Sequence, residues 1–197
     1  DGAGAGAAVT DVLDLTGGTG NVGLGSGALG TAITTGTDNV AIGEAALDAV
    51  TTGSTNTAVG DNAGGAITTG SQNVTVGSAS GLALTTGNQN VIVGEQAGES
   101  STTGTANTLV GCESGGGADV TGAHNVGVGR KTLFDNTSGE KNVAVGRSAL
   151  ENNTTGASNV GIGYQALMAT TTADGNVAVG EGAGAANTTG TENVFIG

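Results

Sequence analysis

The chain has no proline, no tryptophan and only three aromatic residues, Phe134, Tyr164 and Phe195, among 197. An ordinary globular core leans on aromatic side chains for its buried area, so the interior built here is thin and aliphatic. Glycine is abundant, at 41 residues, but has no three-residue period. Without that period and without proline, a collagen triple helix is excluded. A single cysteine, Cys112, rules out an internal disulfide and is compatible with bacterial surface proteins or virion parts. Basic residues number four, all between Arg130 and Arg147, against 17 acidic ones, for a formal net charge of -13. So acidic a chain is a poor partner for nucleic acid. No apolar run approaches the roughly 20 residues of a membrane-spanning helix. The chain shows no signal peptide, starts at Asp1 without Met and stops at Gly197 in mid-repeat, so it is expected to be a segment of a longer or processed protein.

What the chain does have is one short motif in eleven copies: Asn, Val or Thr, a mostly small residue, an aliphatic residue, Gly. The Asn residues are Asn21, Asn39, Asn56, Asn73, Asn90, Asn107, Asn125, Asn142, Asn159, Asn176 and Asn193. Their spacings are 18, 17, 17, 17, 17, 18, 17, 17, 17 and 17 residues. Disorder, which such a glycine content also fits, does not keep a period. A short fixed period marks a repeat architecture, in which each unit buries its apolar face only by stacking on the next.

Three residues after each Asn stands an aliphatic side chain: Leu24, Ile42, Val59, Val76, Val93, Val110, Val128, Val145, Ile162, Val179 and Ile196. One residue after the Asn stands Val, or Thr at Thr57 and Thr108. These two columns lie two residues apart, so on a strand they share a face, with the small residue between them pointing the other way. The expectation is a short strand whose paired aliphatics are buried. Gly follows each aliphatic residue, from Gly25 to Gly197, and reads as a corner. A second Gly lies three residues before ten of the eleven Asn, with Ala173 as the exception, and reads as another corner. Seven residues after each Asn the side chain is small, from Ala28 to Ala183, which reads as a second short strand across a narrow interior. Two strands and two corners fill a 17-residue coil. The expected fold is an all-β parallel β-solenoid or β-roll of about eleven coils over residues 21–197. Residues 1–20 are expected to form an atypical first coil or a link. The extra residue of the second 18-residue spacing is placed in a loop near Gly115, Gly116 and Gly117.

The Asn column is read as a ladder of side-chain amides bonded from coil to coil, in preference to ligand or cation coordination. His124, the only histidine, has no recurring Ser–His–carboxylate set around it and is read as a solvated turn residue. Cys112 shares a polar, variable column with Ser26, Glu44, Asp61, Ser78, Glu95, Arg130, Arg147, Tyr164 and Glu181. That column is expected to face solvent. Arg130 and Arg147, with Lys131 and Lys141 nearby, are read as pairing with Asp135, Glu140 and Glu151 of adjacent coils, ahead of the alternative of a local receptor-binding patch. No column is consistently acidic, so no calcium array is expected, and the glycine runs lack the strand and helix context of a nucleotide site. Neither a catalytic residue nor a metal nor a cofactor is assigned. The Thr-Thr-Gly triplets line up a column of Thr35, Thr52, Thr69, Thr86, Thr103, Thr121, Thr155, Thr172 and Thr189. An ice-binding array is the alternative there to a hydroxyl-capped turn.

Asn39-Val-Ala-Ile-Gly43, Asn142-Val-Ala-Val-Gly146 and Asn176-Val-Ala-Val-Gly180 resemble the head repeats of trimeric autotransporter adhesins of the Yersinia type. Residues 154–167, Thr-Thr-Gly-Ala-Ser-Asn-Val-Gly-Ile-Gly-Tyr-Gln-Ala-Leu, are similar to the "TTGxxNxAxGxxAL" arrays of phage and virus fibres. The resemblance covers about residues 17–197. It implies a left-handed parallel β-roll assembled as a homotrimer, serving as a surface adhesin or fibre shaft. The 17-residue unit is longer than the adhesin head's usual one, and no neck, coiled-coil stalk or anchor is seen. The combined expectation is an extracellular, non-enzymatic shaft or adhesin segment on a cell surface or virion appendage, whose partner is itself, three chains meeting through the small residues between the aliphatics. A subunit of a polymeric surface filament is the further alternative, and any host receptor is unknown.

Overall fold

A computed structural model describes residues 12–13 and 18–197. One twelve-stranded sheet runs its length, in sequence order. Its strands are β1 (Val12–Leu13), β2 (Val22–Leu24), β3 (Val40–Ile42), β4 (Thr57–Val59), β5 (Val74–Val76), β6 (Val91–Val93), β7 (Thr108–Val110), β8 (Val126–Val128), β9 (Val143–Val145), β10 (Val160–Ile162), β11 (Val177–Val179) and β12 (Val194–Ile196). From β2 onward every neighbour pair is parallel and in register, as in Val74↔Val91 and Val76↔Val93. Only β1 runs antiparallel, against β2. No helix occurs among the described residues. The product is a β-solenoid. With roughly 4.8 Å between coils, its eleven parallel strands span on the order of 50 Å. Most of the expected first coil or link over residues 1–20 lies outside the described residues.

The coil contains one strand rather than two. The small residues of the opposite wall, such as Ala46 and Ala149, are buried as expected, but their segment is a run of turns. The cause is backbone chirality. Three columns adopt left-handed φ whatever residue they carry: the position before each Asn (Asp38, φ 58°; Lys141, 58°), and the positions six (Glu113, 58°) and eight (Leu47, 51°) after it. Outside glycine this region is uncommon, and a left-handed residue cannot sit in an extended strand. In the first two columns it turns the N–H back toward the preceding coil. Thr55 donates to the Thr37 carbonyl at 2.9 Å and Asn62 to that of Glu44 at 2.8 Å. Strand residues donate forward, as Val40 does to the Asn56 carbonyl at 2.8 Å. Stacking bonds in both directions compensate the strain.

The two glycine columns serve different needs. Gly after the aliphatic residue is a corner: Gly60 has φ 136°, which a side chain rarely tolerates. The second column is not a left-handed corner but a close approach. A Cβ on Gly53 would lie 2.3 Å from the Gly70 carbonyl oxygen of the next coil. At Ala173, where this glycine is missing, the following Asn176 amide donates to the nearby Asp174 carbonyl at 3.3 Å.

The strand faces are the reverse of the expected ones. The middle residue of each strand points into the coil: Ala41, Ala58, Ala144 and Ala178 are fully buried, and Ile92 and Leu109 are 1% exposed. The flanking aliphatics look outward. The interior is too narrow for large residues on both walls, and it exchanges them. Coils with Gly23, Gly127 or Gly161 in the strand carry Leu29, Leu133 or Leu167 on the turn wall, whereas coils with Ile92 or Leu109 in the strand carry Gly98 or Gly115 there. A Cβ on Gly98 would stand 3.1 Å from the Ile92 side chain, and one on Gly115 2.8 Å from Leu109. Gly98→Leu alone is therefore expected to lower stability by about 2–3 kcal/mol through overpacking. The double change Gly98→Leu/Ile92→Ala should recover most of it, since Leu is accommodated in this column on other coils. Chemical denaturation of the three proteins checks this, and equal losses in the single and double variants would refute the exchange.

Candidate functional site

The eleven amides form a continuous ladder inside the coil. The Asn73 amide donates to Asn56 Oδ1 at 3.1 Å and to the Gly87 carbonyl at 2.8 Å, while its own Oδ1 accepts both the main-chain N–H and the amide of Asn90 at 3.0 Å. At Asn107 and Asn125, on either side of the extra residue, the preceding Oδ1 accepts the main-chain N–H. The column is buried from Asn21 to Asn176, so its polar groups bond to one another and present nothing to a ligand. The extra residue itself is absorbed in the turn wall, where the N–H groups of Gly117 and Ala118 both donate to the Phe134 carbonyl, at 3.0 and 3.1 Å.

The outer surface is patterned in files along the rod. The outward strand residues make two parallel files. One runs from Val22 to Val194 with Thr57 and Thr108 in it, and the other is the aliphatic file from Leu24 to Ile196. Leu24, Ile42, Val128, Ile162 and Val179 are each 39–40% exposed, and the rest are half-buried or more exposed. The two files hold 22 positions, of which two are Thr, leaving 20 aliphatic ones. Fully burying such a side chain stabilises by about 1.5–3 kcal/mol. Covering the roughly one third still open on 20 of them gives on the order of 10 kcal/mol per chain, or about 400 Å². Contiguous apolar patches of a few hundred Å² are often functional.

Polar rims border this face. Beyond the Gly corner runs the file from Ser26 through Glu44, Asp61, Glu95, Arg130, Arg147 and Tyr164 to Glu181, exposed as expected except for half-buried Cys112. On the other rim lie Asp38, His124, Lys141 and Glu192, all exposed. The expected pairing of the cations with Asp135, Glu140 and Glu151 is not made. Among the described residues the one ion pair is Arg130 with Glu113, at 2.8 Å. The hydrogen bond that Arg130 donates to that carboxylate, then the carboxylate's charge, raises the guanidinium pKa above its ordinary value. Exposed pairs of this kind add little stability.

The outer Thr file, Thr35 to Thr189, is exposed throughout. On most coils the Thr before these turns its hydroxyl to the next coil, as Thr51 does to the Thr68 carbonyl at 3.0 Å and Thr154 to that of Thr171 at 3.0 Å, whereas at Val120 it is Thr121 itself that donates, to the Thr137 carbonyl at 3.2 Å. The free hydroxyl file is thus one residue wide. Among the described residues there is no pocket and no group of three or more His, Cys, Asp or Glu placed to hold a metal. No helix is long and apolar enough to cross a membrane.

The outward apolar face was missed from sequence, although Thr57 and Thr108 signalled it. Thr enters the Val file without a partner for its hydroxyl, which costs little in a solvent-facing column, although the inward column of this rod also holds one unpartnered hydroxyl, at Thr75. Comparison with protein-family models, known proteins and solved structures finds no match for this chain.

Proposed function

We propose that this chain is a non-catalytic structural rod, a segment of an extracellular shaft, adhesin or fibre, in which copies associate side by side through the aliphatic face. The observation that carries this reading is the unbroken apolar face on eleven successive strands. Coils that touch only their neighbours extend linearly with repeat number, so the shape suits reach and stiffness. Three chains around one axis are favoured. The face is only two files wide, narrow enough for three to converge, and the repeats resemble those of trimeric adhesins. The association is through the aliphatics themselves, because the small residues between them lie inside the coil. The gross gain of order 10 kcal/mol per chain is comparable with the roughly 4–15 kcal/mol that association costs, and the acidic remainder discourages less specific contacts.

Light scattering tests the reading. The expected mass is three times 18.3 kDa. Val76→Lys with Val93→Lys, both outward, should give monomers with an unchanged β-type circular dichroism spectrum. A monomeric wild type that keeps its fold would sink the assembly reading. The rival is ice binding through the exposed Thr file. Thermal hysteresis abolished by Thr69→Tyr and Thr86→Tyr would decide for it.

A further inference from the structure

The cations of this rod are confined to one band. Between His124 and Tyr164 stand Arg130, Lys131, Lys141 and Arg147 against Asp135, Glu140 and Glu151, a local balance of 4 − 3 = +1. The rest of the chain carries the other 17 − 3 = 14 acidic residues and no Lys or Arg, a balance of -14. The parallel register stacks Arg130, Arg147 and Tyr164 in one file on three successive coils, with Lys131 beside Arg130 and Lys141 at the opposite end of β9 from Arg147. Two of the three aromatic residues of the chain fall in the same band, and each lies under a cation. Lys131 Nζ is 4.6 Å from the centre of the Phe134 ring, and the Arg147 guanidinium is 5.7 Å from that of Tyr164. Among the described residues only Arg130 has a carboxylate partner.

We propose that this band is a docking site for a short anionic oligosaccharide carrying sulfate or carboxylate groups. A guanidinium laid against an aromatic ring keeps the edges of its fork open, and that fork matches a planar carboxylate or a sulfate with two parallel hydrogen bonds. The rings restrict the side chains to few rotamers before a ligand arrives, which lowers the ordering cost of binding. Tyr164, 40% exposed, adds a partly apolar surface for the sugar ring beside the charges. The flanks set the ligand's size. Glu95 and Glu113 lie on the preceding coils, Asp174 and Glu181 on the following ones, and Asp135, Glu140 and Glu151 within the band. A ligand whose charges extend beyond two or three coils, about 10–15 Å, meets repulsion. That argues against a long polyanion such as nucleic acid, whose binding needs many neutralised phosphates. The choice of a glycan among anions rests on the extracellular reading above. If three rods share an axis, the band recurs three times at one level, and weak single sites reinforce one another.

A heparin-derived tetrasaccharide and its desulfated counterpart, titrated calorimetrically at about 0.05 and 0.15 M salt, supply the test. The sulfated probe is expected to bind at both salt concentrations, more weakly at the higher one, and the desulfated one not at all. Arg147→Gln with Lys131→Gln should weaken binding at least about tenfold with an unchanged melting curve. Glu95→Gln should not weaken it. Equal affinity for both probes, loss of all binding at the higher salt, or full binding by the double variant would overturn the proposal. So would a wild type that binds neither probe while the double variant loses mass by light scattering, because the cations would then join copies of the chain. The Val76→Lys/Val93→Lys measurement judges the shaft reading separately, since neither residue lies in the band.

Discussion

Gly60→Ala is expected to destabilise the rod by on the order of 3–5 kcal/mol and to lower its melting temperature by about 10–15 °C for a chain of this length. Two costs combine. The backbone there has φ 136°, outside even the left-handed basin that other residues of this protein occupy. The new Cβ would also lie 2.5 Å from the Gly77 carbonyl oxygen and 2.6 Å from its carbon, both main-chain atoms of the next coil that cannot rotate away. Relief requires separating two coils, and that breaks stacking bonds such as the one from Gly77 N–H to the Val59 carbonyl, at 2.8 Å. Gly182→Ala is the matched control. Gly182 has φ 67°, and a Cβ added there would meet nothing within 4 Å, so its cost is about 1–2 kcal/mol. Melting followed by circular dichroism separates the two, and a Gly60→Ala protein melting within about 2 °C of the wild type would show that the coils are not in close contact at this corner.

Asn73→Ala is expected to cost a similar amount, about 4–6 kcal/mol, for a different reason. Four hydrogen bonds disappear together: two donated by the Asn73 amide, to Asn56 and Gly87, and two accepted by its Oδ1 from Asn90. The partners stay behind in a dry interior, with Asn73 itself 0% exposed and Asn90 1%. An unmatched buried donor or acceptor loses the full desolvation penalty rather than the small net value of a bond. Asn193→Ala removes one amide bond, to Asn176 at 3.2 Å, from a partly buried position, and should cost about 1 kcal/mol. Equal effects at Asn73 and Asn193 would show that the amides do not work as a ladder.

These two columns illustrate what could be read from residues alone. An Asn at a fixed interval of 17 or 18 residues cannot be a succession of independent accidents, and an amide carries both the donor and the acceptor that a ladder needs. Its position also predicted the strand, the in-register stack and the Gly corner after each aliphatic residue. The exposed polar file from Ser26 to Glu181 was equally legible, because only solvent tolerates Glu, Arg, Tyr and Ser in one column. Three features were not. The left-handed columns mix Gly, Asp and Asn with Leu, Lys, Gln and Thr, so no column announces positive φ by its residue type, and tertiary stacking imposes it on the rest. The turn wall resembled a strand because small buried residues recur in it at the right interval. The cations had acidic neighbours close in sequence, yet the side chains of Lys131 and Arg147 lie over Phe134 and Tyr164 instead.

The sequence by itself determined the period, and with it the number of coils and the parallel in-register stack, because identical units bury their surface best on identical neighbours. Which face of each strand is inside was decided only by the tertiary structure. Alternation in a three-residue strand distinguishes two faces but does not say which one is covered. Hydrophobicity alone favours the Val and Ile columns for the interior. The coil's cross-section reverses that choice, since the turn wall stands so close that a strand residue is Gly or Ala opposite Leu, and Ile or Leu only opposite Gly. The larger aliphatics are left outside, on the face through which the rods are proposed to meet.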